Sequence, residues 1–175
     1  MRAALLAVWL AAPASARMAE LPVVAAVDLP RYMGTWHEIA HMPNFAQKGC
    51  TDTVVHYRLK TANAFDLANT CWKGNKYKPY FGKAKRVDQK EDAKFRVKFL
   101  AIFSGDYWIT DLDPEYRWAV VGSPKRDQLW VISREPELPE EVYNGLLARA
   151  RVLGFDTDKL ERTVVTGKPS KGFED

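Results

Sequence analysis

Residues 37–41 read His37-Glu38-Ile39-Ala40-His41, the His-Glu-x-x-His spacing of a zinc hydrolase. On a helix, positions i and i+4 share a face about 6 Å apart, so two imidazoles grip one metal and the glutamate acts as base. Here Gly34 and Pro43 bracket the run, which is too short for an amphipathic helix. On a strand the same spacing carries the imidazoles roughly 13 Å apart, too far to share an ion. Asn44 and Gln47 stand where a Gly-x-x-His extension would begin and end, and no glutamate occurs between Glu38 and Glu91. The reading is a strand that merely spells the motif, with no metal site. His56, between Val55 and Tyr57, is expected on the outer face of a second strand. The chain has no Gly-x-Ser-x-Gly, no phosphate-cradling loop and no cysteine with a catalytic partner. Lys83, Lys85 and Arg86 read as a solvated strand face. No catalytic residue and no cofactor are expected.

The elements that would position a site begin after a leader. Arg2, the apolar run 3–12 and the small residues Ala14-Ser15-Ala16 form the pattern of a secretory signal peptide over residues 1–16. A run of ten is too short to span a bilayer, which needs about 20 residues. Residues 17–175 then read as one domain, exported to a periplasm or secreted, and soluble. No cysteine stands at the cleavage site to carry a lipid anchor. The net charge of +4 is spread among interleaved acids and bases, which leaves no nucleic-acid footprint. A mildly basic surface leaves peripheral association with a membrane open. In an oxidising compartment the two cysteines matter. Cys50 and Cys71 flank a hairpin that turns near residues 61–63, and antiparallel pairing about that turn brings them within a residue or two of register. A disulfide is expected.

Eight short strand-like runs follow one another: 35–41, 52–60, 64–72, 77–87, 94–100, 107–112, 117–122 and 129–134. Phe95, Val97 and Phe99 alternate with Lys94, Arg96 and Lys98, the period of a half-buried strand. One helix comes after them. Pro139 suits its first position, Glu140 and Glu141 its first turn, and Gly154 its cap. Val142, Leu146, Leu147, Ala150 and Leu153 make a one-sided stripe. Residues 163–166 read as a last short strand. The expectation is an all-β fold: an eight-stranded antiparallel up-and-down β-barrel with one C-terminal α-helix packed outside. Eight strands leave an interior that is filled by side chains or holds one small ligand.

Three stretches in order resemble the lipocalin family. Gly34-Thr35-Trp36 is similar to its first signature, Thr110-Asp111-Leu112-Asp113-Pro114-Glu115-Tyr116 to its second, and Arg134 after Leu129-Trp130-Val131-Ile132-Ser133 to its third. The longer matches around Trp36 and Arg134 resemble the bacterial outer-membrane and apolipoprotein D-like branch. The resemblance covers essentially the whole mature chain. It implies a calyx with a structural floor of Gly34, Trp36 and Arg134, the guanidinium stacked on the indole. Strand parity then turns Ile132 and Trp130 inward with Arg134. The resemblance further implies that Tyr57, Phe99 and Tyr107 face the cavity. Phe95 and Val97 follow from Phe99, and Ile109 from Tyr107. Such a lining suits a small hydrophobic ligand, a fatty acid or a lysophospholipid. The rivals are an enzyme acting on a lipid or isoprenoid in the same cavity, and a filled barrel serving as a partner-binding module. Oligomeric state is not legible from the sequence.

Overall fold

In the computed structural model, which describes residues 19–88, 90–99 and 103–173, the first strand is shared by three neighbours. Strand β1 (Gly34–His41) bonds β2 (Thr51–Thr61) through residues 34–37 and β8 (Leu129–Ser133) through residues 37–41. Between them β3 (Ala64–Lys73), β4 (Lys76–Arg86), β5 (Lys94–Phe99), β6 (Phe103–Leu112) and β7 (Trp118–Gly122) pair in sequence order, all antiparallel. The sheet therefore closes as an up-and-down barrel of eight strands, as expected. The expected signal peptide lies outside the described residues.

β2 leaves β1 after His37, which strips β1 of a partner at residues 38–41. The short strand β9 (Glu161–Arg162) fills that gap, pairing with Ala40 and His41. The chain then bridges to β2, where Val164 O accepts from Asp52 N at 2.8 Å. The last strand was expected at 163–166. The free backbone groups of β1 set its ladder two residues earlier. The sixth strand likewise starts at Phe103 rather than at 107. Gly105 and Asp106 look like a turn in sequence, yet they pair with Val97 and Arg96.

A bulge at Ile39 turns β1 from one core to another. Trp36 belongs to the barrel interior, with Val55, Phe65, Phe95 and Ile109. Ile39 and Ala40 instead join Val120, Leu129 and Val131 on the outer face, under α2 (Glu140–Val152). This helix buries Tyr143, Leu146 and Ala150, with Pro139 at its N-cap, one position ahead of the expected site. Its last residue, Val152, is exposed.

One end of the barrel is plugged by a single helical turn that the sequence reading missed, α1 (Leu29–Tyr32). Asp28 caps it through Arg31 N, and Leu29 and Tyr32 are buried. Arg134 locks the plug in place. Its guanidinium lies 3.8 Å from the centre of the Trp36 ring. It donates to Thr35 O at 2.8 Å, Arg31 O at 2.7 Å and Tyr116 O at 3.3 Å. Gly34 has φ +94°, and a Cβ there would sit 3.3 Å from Arg134 Nη1. At the other end Cys50 and Cys71 form a disulfide, with Cα atoms 5.5 Å apart. Closing its 21-residue separation contributes about 3 kcal/mol on chain-entropy grounds.

The C-terminal segment straps the outside. The Asp52 carboxylate accepts from Thr166 N at 2.6 Å, Thr166 Oγ1 at 2.5 Å and Gly167 N at 2.8 Å. His56 faces outward as expected but is half-buried by this strap, with Nε2 2.6 Å from Ser170 Oγ.

Arg134→Ala removes the stacking and three charge-assisted bonds together, and is expected to cost about 3 kcal/mol in denaturant unfolding. Arg134→Lys should recover little of it, because a single ammonium cannot reach three carbonyls in a fork. For Asp52, burial alone would raise the carboxyl's pKa, but the strap's donors outweigh it and hold the value below normal. Its contribution is full above an unfolded value of about 3.9 and is lost as pH falls through the lower folded one. Thermal melts of Asp52→Asn against wild type should therefore show a deficit at neutral pH that narrows below about pH 4.

Candidate functional site

Alternation along the strands delivers inward side chains from every wall, and above the plug they do not fill the barrel. A cavity of about 110 Å³ remains, room for about four waters at the ~30 Å³ each occupies in the liquid. Tyr57, Val97, Phe99, Tyr107, Trp130 and Ile132 line it, together with Val55, Leu67 and Val121. Phe95 and Ile109 point into the same interior but do not reach the cavity. Both are fully covered, packed in the core near the plugged end.

Between plug and cavity three phenols meet. Tyr107 Oη lies 2.6 Å from Tyr32 Oη and 2.7 Å from Tyr57 Oη. Tyr32 comes from α1, and its carbonyl accepts from Trp36 Nε1 at 2.8 Å, so the plug positions the cluster. Burial raises the pKa of all three, which keeps them as neutral hydroxyls. Two contacts use two of three hydroxyl protons.

One wall of the cavity is polar, and the sequence reading did not find it. Glu38, Thr53 and Asn69 line the cavity from β1, β2 and β3. The signal was available: Glu38 is two residues from Trp36, and Thr53 shares parity with Val55 and Tyr57. Glu38 is buried, and Thr163 Oγ1 donates to its Oε1 at 2.7 Å. Gln47 Nε2 donates to its Oε2. The same Gln47 amide accepts from Trp130 Nε1 at 3.0 Å, pinning the loop 42–50 against the barrel mouth. Thr53 Oγ1 is buried and has no hydrogen-bond partner among the described residues.

The residues of the His-Glu-x-x-His run part company on this strand. His41 Nδ1 is 3.0 Å from Glu38 Oε1, at an angle too poor for a good hydrogen bond, and Nε2 is 4.0 Å from Glu161. Burial disfavours the His41 cation, but Glu38 and Glu161 outweigh it and raise the pKa. Burial lowers that of His37, against an opposing pull from Glu135. Among the described residues, no group of three or more His, Cys, Asp or Glu side chains is placed to hold a metal.

The sequence profile of the lipocalin-like domain matches residues 27–165. This chain is a lipocalin. The lipocalin is 36% identical over 159 residues to temperature-induced lipocalin-1 of Arabidopsis thaliana, a match spanning 86% of each chain. It is 34% identical over 139 residues to outer membrane lipoprotein Blc of Escherichia coli strain K12, spanning 78% of each. To mouse apolipoprotein D it is 27% identical over 150 residues, 81% of this chain and 79% of that one. The solved structure of insecticyanin from the tobacco hornworm Manduca sexta covers 89% of the lipocalin with a TM-score of 0.70 at 17% identity, and 87% of that chain is covered in turn. That likeness is one of fold. The family expectation of a closed calyx holds.

The tyrosine cluster gives an asymmetric expectation. Tyr107→Phe orphans the hydroxyls of both neighbours and should cost about 2 kcal/mol by urea unfolding, whereas Tyr32→Phe removes one end and should cost about half as much.

Proposed function

We propose that this lipocalin binds and carries one small hydrophobic molecule inside the barrel, and that the ligand is an acyl-chain lipid, a fatty acid or a lysophospholipid. The carrying observation is the unfilled volume itself, walled by Val55, Leu67, Val97, Phe99, Val121, Trp130 and Ile132. Each methylene moved from water into such a lining contributes about 0.8 kcal/mol. Association and ordering costs offset much of the sum, which favours micromolar binding. Phe99 and Trp130 are only partly buried, so they can swing to admit a chain longer than the resting cavity accepts.

Binding without turnover is the reading the wall favours over an enzyme. Its hydroxyls are Thr53, which has no hydrogen-bond partner and hence no base among the described residues, and the tyrosines, which burial keeps protonated. Glu38 is engaged by Gln47 and Thr163. We further read residues 1–16 as a secretory leader and 17–175 as the single exported domain, in a periplasm or outside the cell. The Cys50–Cys71 disulfide suits an oxidising compartment. Among the described residues no helix is long and apolar enough to cross a membrane.

The test is calorimetric titration of delipidated protein with saturated chains of increasing length. Affinity should grow with length, and Trp130→Ala should weaken the longest by roughly 1–3 kcal/mol. Exposed Lys98→Ala is the control and should change little. Affinities indifferent both to length and to Trp130→Ala would replace the carrier by a filled barrel or an outside site.

A further inference from the structure

The polar wall restricts what the head of a bound lipid can be. Among the described residues two charged ones line the cavity, Glu38 and Asp106, and Asp106, next to the inward Tyr107, turns its carboxylate to the outer face. Asp106 is neutralised from outside by Arg96 at 3.0 Å. Glu38 has His41 beside it, and His41 in turn has Glu161. Two carboxylates and one imidazole leave this corner net negative whether or not His41 is protonated. No lysine or arginine among the described residues lines the cavity to receive an anion. A carboxylate head placed here would be buried against like charge with no cation in reach, which is strongly unfavourable in a low-dielectric interior.

What the wall offers is acceptors. Glu38 Oε2 takes one hydrogen bond, from Gln47, and keeps a free lone pair. Thr53, which lines the same cavity and is only 7% exposed, presents a hydroxyl with no partner among the described residues. A buried hydroxyl left unpaired is costly, and such groups in native proteins are normally satisfied. Asn69 adds an amide on the neighbouring strand, able to donate and accept. An acceptor of full charge and an unsatisfied hydroxyl, on one side of an otherwise apolar and aromatic cavity, form the complement of a donor group on an aliphatic body.

We infer that the cavity selects an amphiphile with a hydrogen-bond-donating, non-anionic head, a hydroxyl or an ammonium, held by Glu38, Thr53 and Asn69. This rests on the proposed binding of a lipid in the barrel and narrows it, away from free fatty acids and towards lipids whose polar group carries donors. The contribution of each residue is distinct. Glu38 supplies the charge that accepts the donor and rejects anions. Thr53 completes the hydrogen bonding, and Asn69 fixes the orientation of the head.

The test is a matched series of one chain length and three heads: decanol, decylamine and decanoate, titrated calorimetrically into delipidated full-length protein at pH 8. Decanol, decylamine or both should bind at least tenfold more tightly than decanoate, and the comparison of those two separates a hydroxyl from an ammonium site. Glu38→Gln should shrink the preference over decanoate at least tenfold. Thr53→Val keeps the side chain's shape and removes the orphan hydroxyl, so the unliganded protein should melt no lower than wild type while its preferred ligand binds several-fold more weakly. That combination is what a merely structural threonine would not produce, and it serves should Glu38→Gln disturb the loop at Gln47. Three affinities that are alike, and unmoved by Thr53→Val, would mean the wall is satisfied by water alone; the carrier reading would stand and this inference would fall. Decanoate binding as tightly as the others or more so would overturn it too. Absence of binding by all three would remove both readings together.

Discussion

Three backbone carbonyls from three separate pieces of chain converge on the Arg134 guanidinium, whose plane covers the Trp36 indole. The acceptors belong to α1, to β1 and to the turn before β7. α1 runs into β1 through Met33 alone, and Asp28 N donates to Tyr116 Oη at 2.9 Å, so Arg134 fastens a junction that the chain itself has already brought together. A planar fork of five donors is the side chain that can satisfy such a set while stacked on a ring. With it in place α1 becomes the plug of the barrel, and Tyr32 is carried in far enough to meet Tyr107. The shape of the lower cavity is thus set from outside the barrel wall.

The strands were legible because their side chains alternate and because turn residues separate them. Lys94 to Phe99 shows this best: three apolar side chains face in and two of the three basic ones are exposed. What stayed hidden depends on partners distant in sequence. The position of β9 follows from where β2 departs from β1, and nothing in residues 161–166 records that departure. The start of β6 was obscured by Gly105, which looks like a breaker but is paired within the ladder. α1 leaves no signal, since four residues are too few to show a helical period.

The site was legible in its apolar half. Parity from Arg134 reached Trp130 and Ile132, the family resemblance supplied Phe99, and parity from Phe99 reached Val97; all four line the cavity, but parity alone cannot say how deep a residue lies. Phe95 and Ile109 have the right direction and the wrong depth. The polar half went unread for a different reason. Glu38 sits inside a metal-site spacing that has no meaning on a strand, and its inward parity with Trp36 is the sign of its place in the wall. Gln47 could not be placed from the sequence, because its position is fixed by a loop bent back over the barrel mouth.

The closure of the sheet also has a temporal side. β1 finds β2 a few residues away, but its other edge waits for β8, about ninety residues further along the chain. Without β8 a sheet of β1 to β7 would stay open, with Phe65, Phe95 and Ile109 on its uncovered concave face. Non-local pairing of this kind folds slowly, on the order of milliseconds to seconds, and an exposed apolar face with a free strand edge is prone to association while it lasts. A nascent chain emerging N-terminus first cannot shorten that wait. The residue that ends it is Arg134, which follows the last barrel strand, so the chain acquires its lock only when the final strand is ready to be fastened.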